Sequence, residues 1–276
     1  MASKSPFTLS LSKGEVGESV RGSTGSPRTL LTLSLSIMVF MLHPLLTEAA
    51  DLRGQVRLDG PVPEQEKVTL QPKKGSHSTE GCGSLVKDSQ RLLVDQSGGI
   101  KNAVVWLDLP DAPGKAPAKP APFLIDQNQC LFEPHVVALP AGREIAVRNS
   151  DSVIHNIRIF REGNPSMLMH QWQKADAADI RWRFSEPGRF VVRCGVHHWM
   201  YAWVLVAPGS RVGVTDESGR FILANIPEGR HTLHVWHETL GTREIPVEVK
   251  REGSELEPIR FTLKGSDPSG SDPTRL

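Results

Sequence analysis

The sequence predicts an all-β fold, and three observations support that prediction. From Arg53 onward, short runs rich in β-branched and aromatic residues are broken by Gly, Pro, Asn and Asp, which is typical of strands joined by tight turns. Helical periodicity of apolar residues is almost never sustained over a helix length. The runs recur at intervals of about ten residues, as in β-sandwiches and barrels.

Twelve runs are candidate strands, and the segment from Asn164 to His170 is interpreted as a loop that packs over a sheet. The candidate strands are Gly54 to Leu58, Asn102 to Leu107, Val136 to Leu139, Glu144 to Arg148, His155 to Phe160, Ile180 to Phe184, Arg189 to Arg193, Ala202 to Val206, Gly219 to Leu223, His231 to Trp236, Ile245 to Val249 and Ile259 to Leu263.

Length and charge exclude one broad class of function. A chain of 276 residues is long enough to bury a hydrophobic core in one large or two small domains. The formal net charge is +1, so the sequence lacks the basic excess that holds a polyanion. We therefore expect no binding to nucleic acid.

The first 50 residues have the pattern of a secretory signal peptide. Residues 30 to 42, LLTLSLSIMVFML, form an apolar run preceded by Arg21 and Arg28 and followed by small residues, with cleavage expected near Ala49 or Ala50. The run is shorter than the about 20 residues that cross a bilayer as a helix. We expect a periplasmic or otherwise exported protein without a permanent membrane span. An uncleaved anchor or a mis-assigned start is the alternative.

Composition divides the rest of the chain. Residues 51–110 form an N-terminal β segment, and residues 111–121 are a Pro- and Ala-rich linker. Residues 122–207 and 208–264 form two further β-rich blocks, separated near Pro208 and Gly209. Residues 265–276 are polar and rich in Gly, Pro and Ser, which predicts a disordered tail.

The last block contains two turn signals, VTDESGRF around Gly219 and IPEGR around Gly229. With them the block resembles the carboxypeptidase-regulatory-like, transthyretin-type sandwich. Such modules open with strands similar to Gly54 to Leu58 and Lys101 to Leu107. The resemblance implies either a second sandwich at 208–264 or one sandwich split around residues 122–207.

The three cysteines are an odd number for an exported chain, in which thiols tend to pair. If Cys82 and Cys130 form a disulfide, Cys194 is left over and needs a reason to stay reduced. Metal ligation is such a reason. A disulfide from Cys194 to one of the other two is the alternative.

One short segment gathers metal-binding residue types. A strand leads into Cys194, His197 follows three residues later, and Met200 follows after three more. His155, at the start of a separate strand, supplies a second imidazole. Two imidazoles, one thiolate and an axial thioether are the ligands of mononuclear electron-transfer copper. His198 is interpreted as the exposed neighbour of His197.

With this motif, residues 122–207 resemble the cupredoxins, the amicyanin- and plastocyanin-type blue copper proteins. The Cys-x-x-His-x-x-Met spacing and the pair His155 and Asn156 match the amicyanin type. The resemblance implies a Greek-key sandwich and one copper ion. It also implies that Asn149 and Asn156 support the ligands, with Asn156 tying the two ligand loops together.

The predicted function is single-electron transfer to and from a redox protein partner, without enzymatic activity. No serine-hydrolase elbow, zinc-protease motif, phosphate loop or Cys-x-x-Cys motif is present in the sequence. Two alternatives stay open. The same ligands would serve a copper-holding or copper-delivery protein, and a disulfide at Cys194 would leave a non-redox β-sandwich binding module.

Overall fold

A computed structural model describes residues 49–71, 79–109 and 121–263. The predicted signal peptide up to residue 48, the linker from 111 to 120 and the tail from 265 to 276 lie outside these residues. Within the described part, the first strand begins at Ala49 and Ala50 is already buried in it. The predicted cleavage positions therefore coincide with the start of a strand.

The all-β prediction is confirmed, because the described residues contain strands and no helix. None of the described segments is thus a helix that could span a bilayer. The strands are β1 (Ala49–Asp59), β2 (Lys67–Thr69), β3 (Val86–Asp88), β4 (Val104–Leu107), β5 (Phe123–Asn128), β6 (Leu131–Glu133), β7 (Val136–Pro140), β8 (Glu144–Asn149), β9 (His155–Arg161), β10 (Met167–Gln173), β11 (Ile180–Arg183), β12 (Gly188–Cys194), β13 (Tyr201–Ala207), β14 (Val212–Val214), β15 (Arg220–Pro227), β16 (Gly229–His237), β17 (Gly241–Val249), β18 (Ser254–Glu255) and β19 (Ile259–Thr262).

Strands β5 to β13 form a sandwich of two sheets. One sheet has the order β10-β9-β12-β13-β7 and the other the order β11-β8-β5-β6. Alternate residues of the facing strands close an apolar core that includes Ile125, Ile145, Ile157, Val192 and Val204. Because successive side chains of a strand point to opposite faces, each sheet contributes every second residue to this core.

The remaining long strands form a second sandwich from both ends of the chain. Strand β1 pairs with β15, β18 and β19, while β4 lies between β14 and β16 in a sheet that ends with β17. Leu52, Val56, Val105, Leu233 and Val247 share its core. The chain thus enters this sandwich with β1 and β4, leaves it for β5 to β13, and returns with β14 to β19.

A third apolar cluster joins the outer face of the five-stranded sheet to the sheet that contains β4 and β16. Its buried members include Val104, Val136, Val191, Trp203 and Trp236. The rings of Trp203 and Trp236 meet edge to face with centroids 5.2 Å apart. Aromatic contacts of this kind add to the free energy of area burial, so the two sandwiches share a packed boundary.

The interpretation of the segment from Asn164 to His170 as a loop is wrong over its second half. Met167 to Gln173 is strand β10, which pairs with β9 at the edge of the five-stranded sheet. Most of its side chains are exposed, including Leu168 and Trp172. An edge strand without a fully buried face shows no apolar alternation, and sequence periodicity therefore does not reveal it.

Candidate metal centre

Neighbouring strand ends bring the predicted donors together. His155 is the first residue of β9 and Cys194 is the last residue of β12. The two strands are antiparallel partners, with Cys194 opposite Ile157. His197 lies in the short loop that connects β12 to β13 and crosses the end of β9. Two segments that are 39 residues apart in sequence therefore meet at one edge of the sheet.

Three side-chain donors face one point. The Nδ1 atoms of His155 and His197 are 3.1 Å apart. The Sγ atom of Cys194 lies 3.5 Å from Nδ1 of His155 and 3.8 Å from Nδ1 of His197. All three residues are at most 4 % exposed, and the thiol of Cys194 is not in a disulfide.

The triangle of donor atoms has the size that a trigonal metal site requires. Metal–nitrogen bonds of about 2.0 Å and a metal–sulfur bond of about 2.3 Å, set at 120°, would separate nitrogens by about 3.5 Å and nitrogen from sulfur by about 3.7 Å. The observed separations, 3.1, 3.5 and 3.8 Å, are close to these values. One proton can be shared by only two of these three donor atoms, whereas one metal cation can bind all three.

The surroundings of Cys194 favour the thiolate that a soft metal binds. Burial raises the pKa of the thiol, but hydrogen bonds with His155, His197 and the backbone N–H of Asn156 outweigh burial and lower this pKa to about 5. The N–H groups of Asn156 and His197 lie 3.5 and 3.4 Å from Sγ. The sulfur is therefore a ready anionic ligand near neutral pH.

A buried carboxylate fixes the ring of His155. Oδ2 of Asp151 lies 2.9 Å from Nε2 of His155, on the side of the ring away from Cys194. The same carboxylate accepts hydrogen bonds from the backbone N–H groups of Gln129 and Cys130. Since Nε2 of His155 faces an acceptor, the neutral ring carries its proton there and leaves the Nδ1 lone pair for a metal.

For the copper ion that the sequence predicts at this site, we expect Asp151→Asn to weaken binding by about 10- to 100-fold, the usual effect of removing a carboxylate that orients a ligating histidine. A titration of the copper-free protein with Cu(II) in competition with a chelator measures the change. Asp179→Asn is the matched control, because Asp179 pairs with Arg148 at the surface. Equal affinities of the two variants would show that Asp151 does not orient the ligand.

The two asparagines predicted to support the ligands act in different ways. Asn149 holds the loop between β8 and β9, because its Nδ2 donates to the carbonyl of Val153 and its Oδ1 accepts from the N–H of Asp151. Asn156 connects the ligand segments through its backbone. Its carbonyl accepts from the N–H of Gly195 at 2.7 Å, while its side-chain Oδ1 binds Arg158 instead.

Gly195, directly after Cys194, lies close to two side chains of β9. A Cβ atom on Gly195 would lie 2.3 Å from Oδ1 of Asn156 and 2.5 Å from Nε of Arg158. Both of those atoms belong to the ligand-bearing strand β9. A larger residue at position 195 would therefore require the side chains of Asn156 and Arg158 to move.

Met200 closes the loop and is 1 % exposed. Its N–H donates to the carbonyl of His197 at 2.9 Å, and its carbonyl accepts from the N–H of Cys194 at 3.1 Å. The side chain belongs to the same apolar cluster as that of Cys194. His198 is exposed, as expected. The ring of Trp199 meets that of His198 edge to face with centroids 5.4 Å apart, and it is tilted against that of His197 with centroids 5.2 Å apart.

Cys82 and Cys130 form a disulfide beside the donors. Their sulfurs and one ring nitrogen of His197 lie within 4.8 Å of one another. The carbonyl of Cys130 accepts the indole N–H of Trp199 at 3.0 Å. Among the described residues, the His155, Cys194 and His197 cluster is thus the donor group that retains a free thiol.

Sequence reasoning did not identify Asp151 as a site residue. The feature that could have indicated it is its position four residues before His155 in the segment NSDSVIH. An aspartate between two serines is also typical of a turn, and that interpretation needs no partner. Only the fold shows that the carboxylate points at the imidazole.

Comparisons with known proteins find likeness in structure alone. No protein-family model matches the sequence, and no curated protein matches it. A copper-containing nitrite reductase from Thermus scotoductus SA-01 is 21% identical over 36% of this chain and 25% of its own length, with a TM-score of 0.30. This chain therefore spans about a quarter of that enzyme.

Two smaller proteins are similar over nearly their whole length. A purple cupredoxin from Nitrosopumilus maritimus is 22% identical over 31% of this chain and 99% of its own, with a TM-score of 0.28. A reduced amicyanin mutant is 19% identical over 38% of this chain and 98% of its own, with a TM-score of 0.29. At such identities and scores, no residue role is transferred from them to this chain.

Proposed function

We propose that the protein is an exported, mononuclear copper protein that transfers single electrons between redox partners. His155, Cys194 and His197 would hold the ion, and the thioether of Met200 would be a further ligand. The observation that carries the proposal is the buried triangle of two Nδ1 atoms and one Sγ atom, with edges of 3.1 to 3.8 Å. That triangle unites donors from two separate segments.

The donor set favours copper over other common metals. Thiolate and thioether sulfur favour Cu(I), imidazole suits both valences, and methionine is a poor ligand for zinc. When bound, copper supplies a centre that accepts and releases one electron. The protein contributes a rigid donor cage, because β9, β12, Asp151 and the backbone of Asn156 hold the donors in place whatever the valence.

Burial favours electron transfer over catalysis. His155 and Cys194 are 0 % and 4 % exposed, and His197 is 1 % exposed, so the triangle offers a substrate no open approach. We therefore propose a role without enzymatic turnover. The partner is a redox protein, and it meets the chain near the exposed His198, whose ring contacts Trp199.

Two further features belong to this proposal. We propose that the N-terminal 50 residues direct export, since a disulfide between Cys82 and Cys130 suits an oxidising compartment. We also propose that β1, β4 and β14 to β19 are a split carboxypeptidase-regulatory-like sandwich. Its two sheets and shared core support this assignment.

The experiment is a visible spectrum of the full-length protein after addition of one equivalent of Cu(II), with metal analysis. We expect an intense thiolate-to-copper band in the red. Cys194→Ser should lose the band while the far-ultraviolet circular dichroism of the β fold is retained. Retained colour in Cys194→Ser would contradict the ligand assignment.

His197→Ala and His198→Ala form a matched pair for the second imidazole. The first removes a buried donor and should abolish the band, whereas the second removes its exposed neighbour and should leave the band unchanged.

A chelator challenge distinguishes an electron carrier from a copper-delivery protein. An electron carrier retains its copper, whereas a delivery protein releases it within minutes.

A further inference from the structure

Glu238 is a buried carboxylate at the boundary of the two sandwiches. It follows β16, in the turn that leads to β17, and its side chain is 4 % exposed. By its place in the chain, Glu238 belongs to the split sandwich. As a charged residue, it is not part of the apolar core of either sandwich. A buried carboxylate is costly unless hydrogen bonds or opposite charges compensate it, so its partners show what it holds.

All three of its side-chain partners belong to the other sandwich. Oε1 lies 2.5 Å from Nε2 of His135, and Oε2 accepts hydrogen bonds from the hydroxyl of Tyr201 and from the indole N–H of Trp203, both at 3.0 Å. Burial raises the pKa of Glu238, but the hydrogen bond and charge of His135 and the bond from Trp203 outweigh it and lower this pKa. The group is thus a buried anion held by three donors.

These partners lie at the exit of the ligand loop. Tyr201 follows Met200 directly and opens β13, and Trp203 is two residues further on. His135 immediately precedes β7, the parallel partner of β13, and its carbonyl accepts the N–H of Trp203 at 2.8 Å. Glu238 therefore fixes the point at which the chain leaves the ligands, from outside the sandwich that contains them.

We propose that Glu238 is a positioning residue of the copper centre, through which the split sandwich sets the position of the Met200 end of the ligand loop and the potential of the metal. This inference rests on the proposed copper function. The expected direction of the change in potential follows from the sign of the charge on Glu238. With a neutral His135, Glu238 is a net negative charge behind the loop. Such a charge stabilises Cu(II) relative to Cu(I), and hence it lowers the reduction potential.

The variant Glu238→Gln removes the negative charge but keeps the size and the hydrogen-bonding capacity of the side chain. The amide oxygen can still accept from Tyr201 and Trp203, and the amide nitrogen can donate to His135 once that ring moves its proton to Nδ1. We expect the one-electron equilibrium to shift toward Cu(I) by about threefold or more, which corresponds to about 28 mV. The band position should stay close to that of the wild type.

Glu238→Ala removes both charge and hydrogen bonds, and should therefore change the visible band as well as the potential. Glu244→Gln is the control, because Glu244 is an exposed carboxylate on β17 of the same sandwich. Redox titration of the three copper-loaded variants, with thermal unfolding of each, is the measurement. A lowered unfolding temperature of Glu238→Gln with an unchanged potential would overturn the proposal, since Glu238 would then only fasten the sandwiches.

A second measurement needs no metal. In the copper-free protein, Glu238→Ala should let the loop open more often and raise the rate at which a thiol reagent modifies Cys194, severalfold over the Glu244→Gln control. If the wild type binds no copper, the proposed function fails, yet this rate still decides whether Glu238 positions the loop. Equal rates in all variants would refute the positioning role.

Discussion

Replacing Cys82 and Cys130 together by serine is expected to lower the free energy of unfolding of the copper-free protein by about 4 kcal/mol. The bridge spans 48 residues, and closing a loop of that length removes about this much free energy from the unfolded chain by the chain-entropy relation. Thermal or urea unfolding of wild type and double variant under oxidising conditions measures the difference.

The same substitution should also disturb the metal centre. The N–H and carbonyl of Cys130 bind Asp151 and Trp199, which contact His155 and His197 respectively. A looser segment at Cys130 would weaken both supports, so we expect lower copper affinity in the double variant. The reference is the oxidised wild type, since a reductant would reduce Cu(II) and free two thiols beside the donors. Unchanged affinity in the double variant would show that the bridge stabilises the fold alone.

The donors were predictable because their spacing is local. Cys194, His197 and Met200 fall within seven residues, and a free thiol in a chain with two other cysteines requires explanation. The structure brings Cys194 and His197 together with His155, which the sequence offered as a second imidazole at the start of a separate strand. It buries Met200 in the same apolar cluster as Cys194.

Asp151 and Glu238 were not predictable as supports, because their roles depend on contacts between distant segments. Asp151 meets the amide of Cys130 across 21 residues, and Glu238 meets Tyr201 across 37. A carboxylate in a polar turn has the same local pattern whether it faces solvent or a buried ring. Packing within one sandwich decides the environment of Asp151, and packing between the two sandwiches decides that of Glu238.

The strands also divide into those that the sequence predicts and those that it does not. Strands with a buried face, such as β9, β12 and β13, show the apolar pattern that predicts them. The edge strand β10 and the short β2 and β3 do not, since most of their side chains are exposed or half-buried. An edge strand is stabilised by pairing with a neighbouring strand, and the apolar periodicity of its own sequence does not reveal that pairing.

One buried histidine, His237, should make the protein less stable as the pH decreases from about 6.5 to 4. Burial lowers the pKa of His237 to about 4 from its usual 6.5, with the nearby Glu238 opposing and His135 adding to the shift. Between these values the unfolded chain binds a proton that the folded chain does not. The difference of 2.5 pH units is worth about 3 kcal/mol, lost in full below pH 4.

His237→Asn should flatten this pH dependence, since asparagine keeps an acceptor for the N–H of Thr239 at the place of Nδ1 but takes up no proton. Urea unfolding of the copper-free protein at several pH values between 7 and 4 measures the slope, with Cys194→Ser present in every sample so that the lowered pKa of that thiol adds no slope of its own. His170→Asn, at an exposed position on β10, should keep the wild-type slope. The lowered pKa of Glu238 adds a loss in the same direction only below its usual value of 4.5, so a steep slope that survives in His237→Asn above pH 5 would assign the effect to another group.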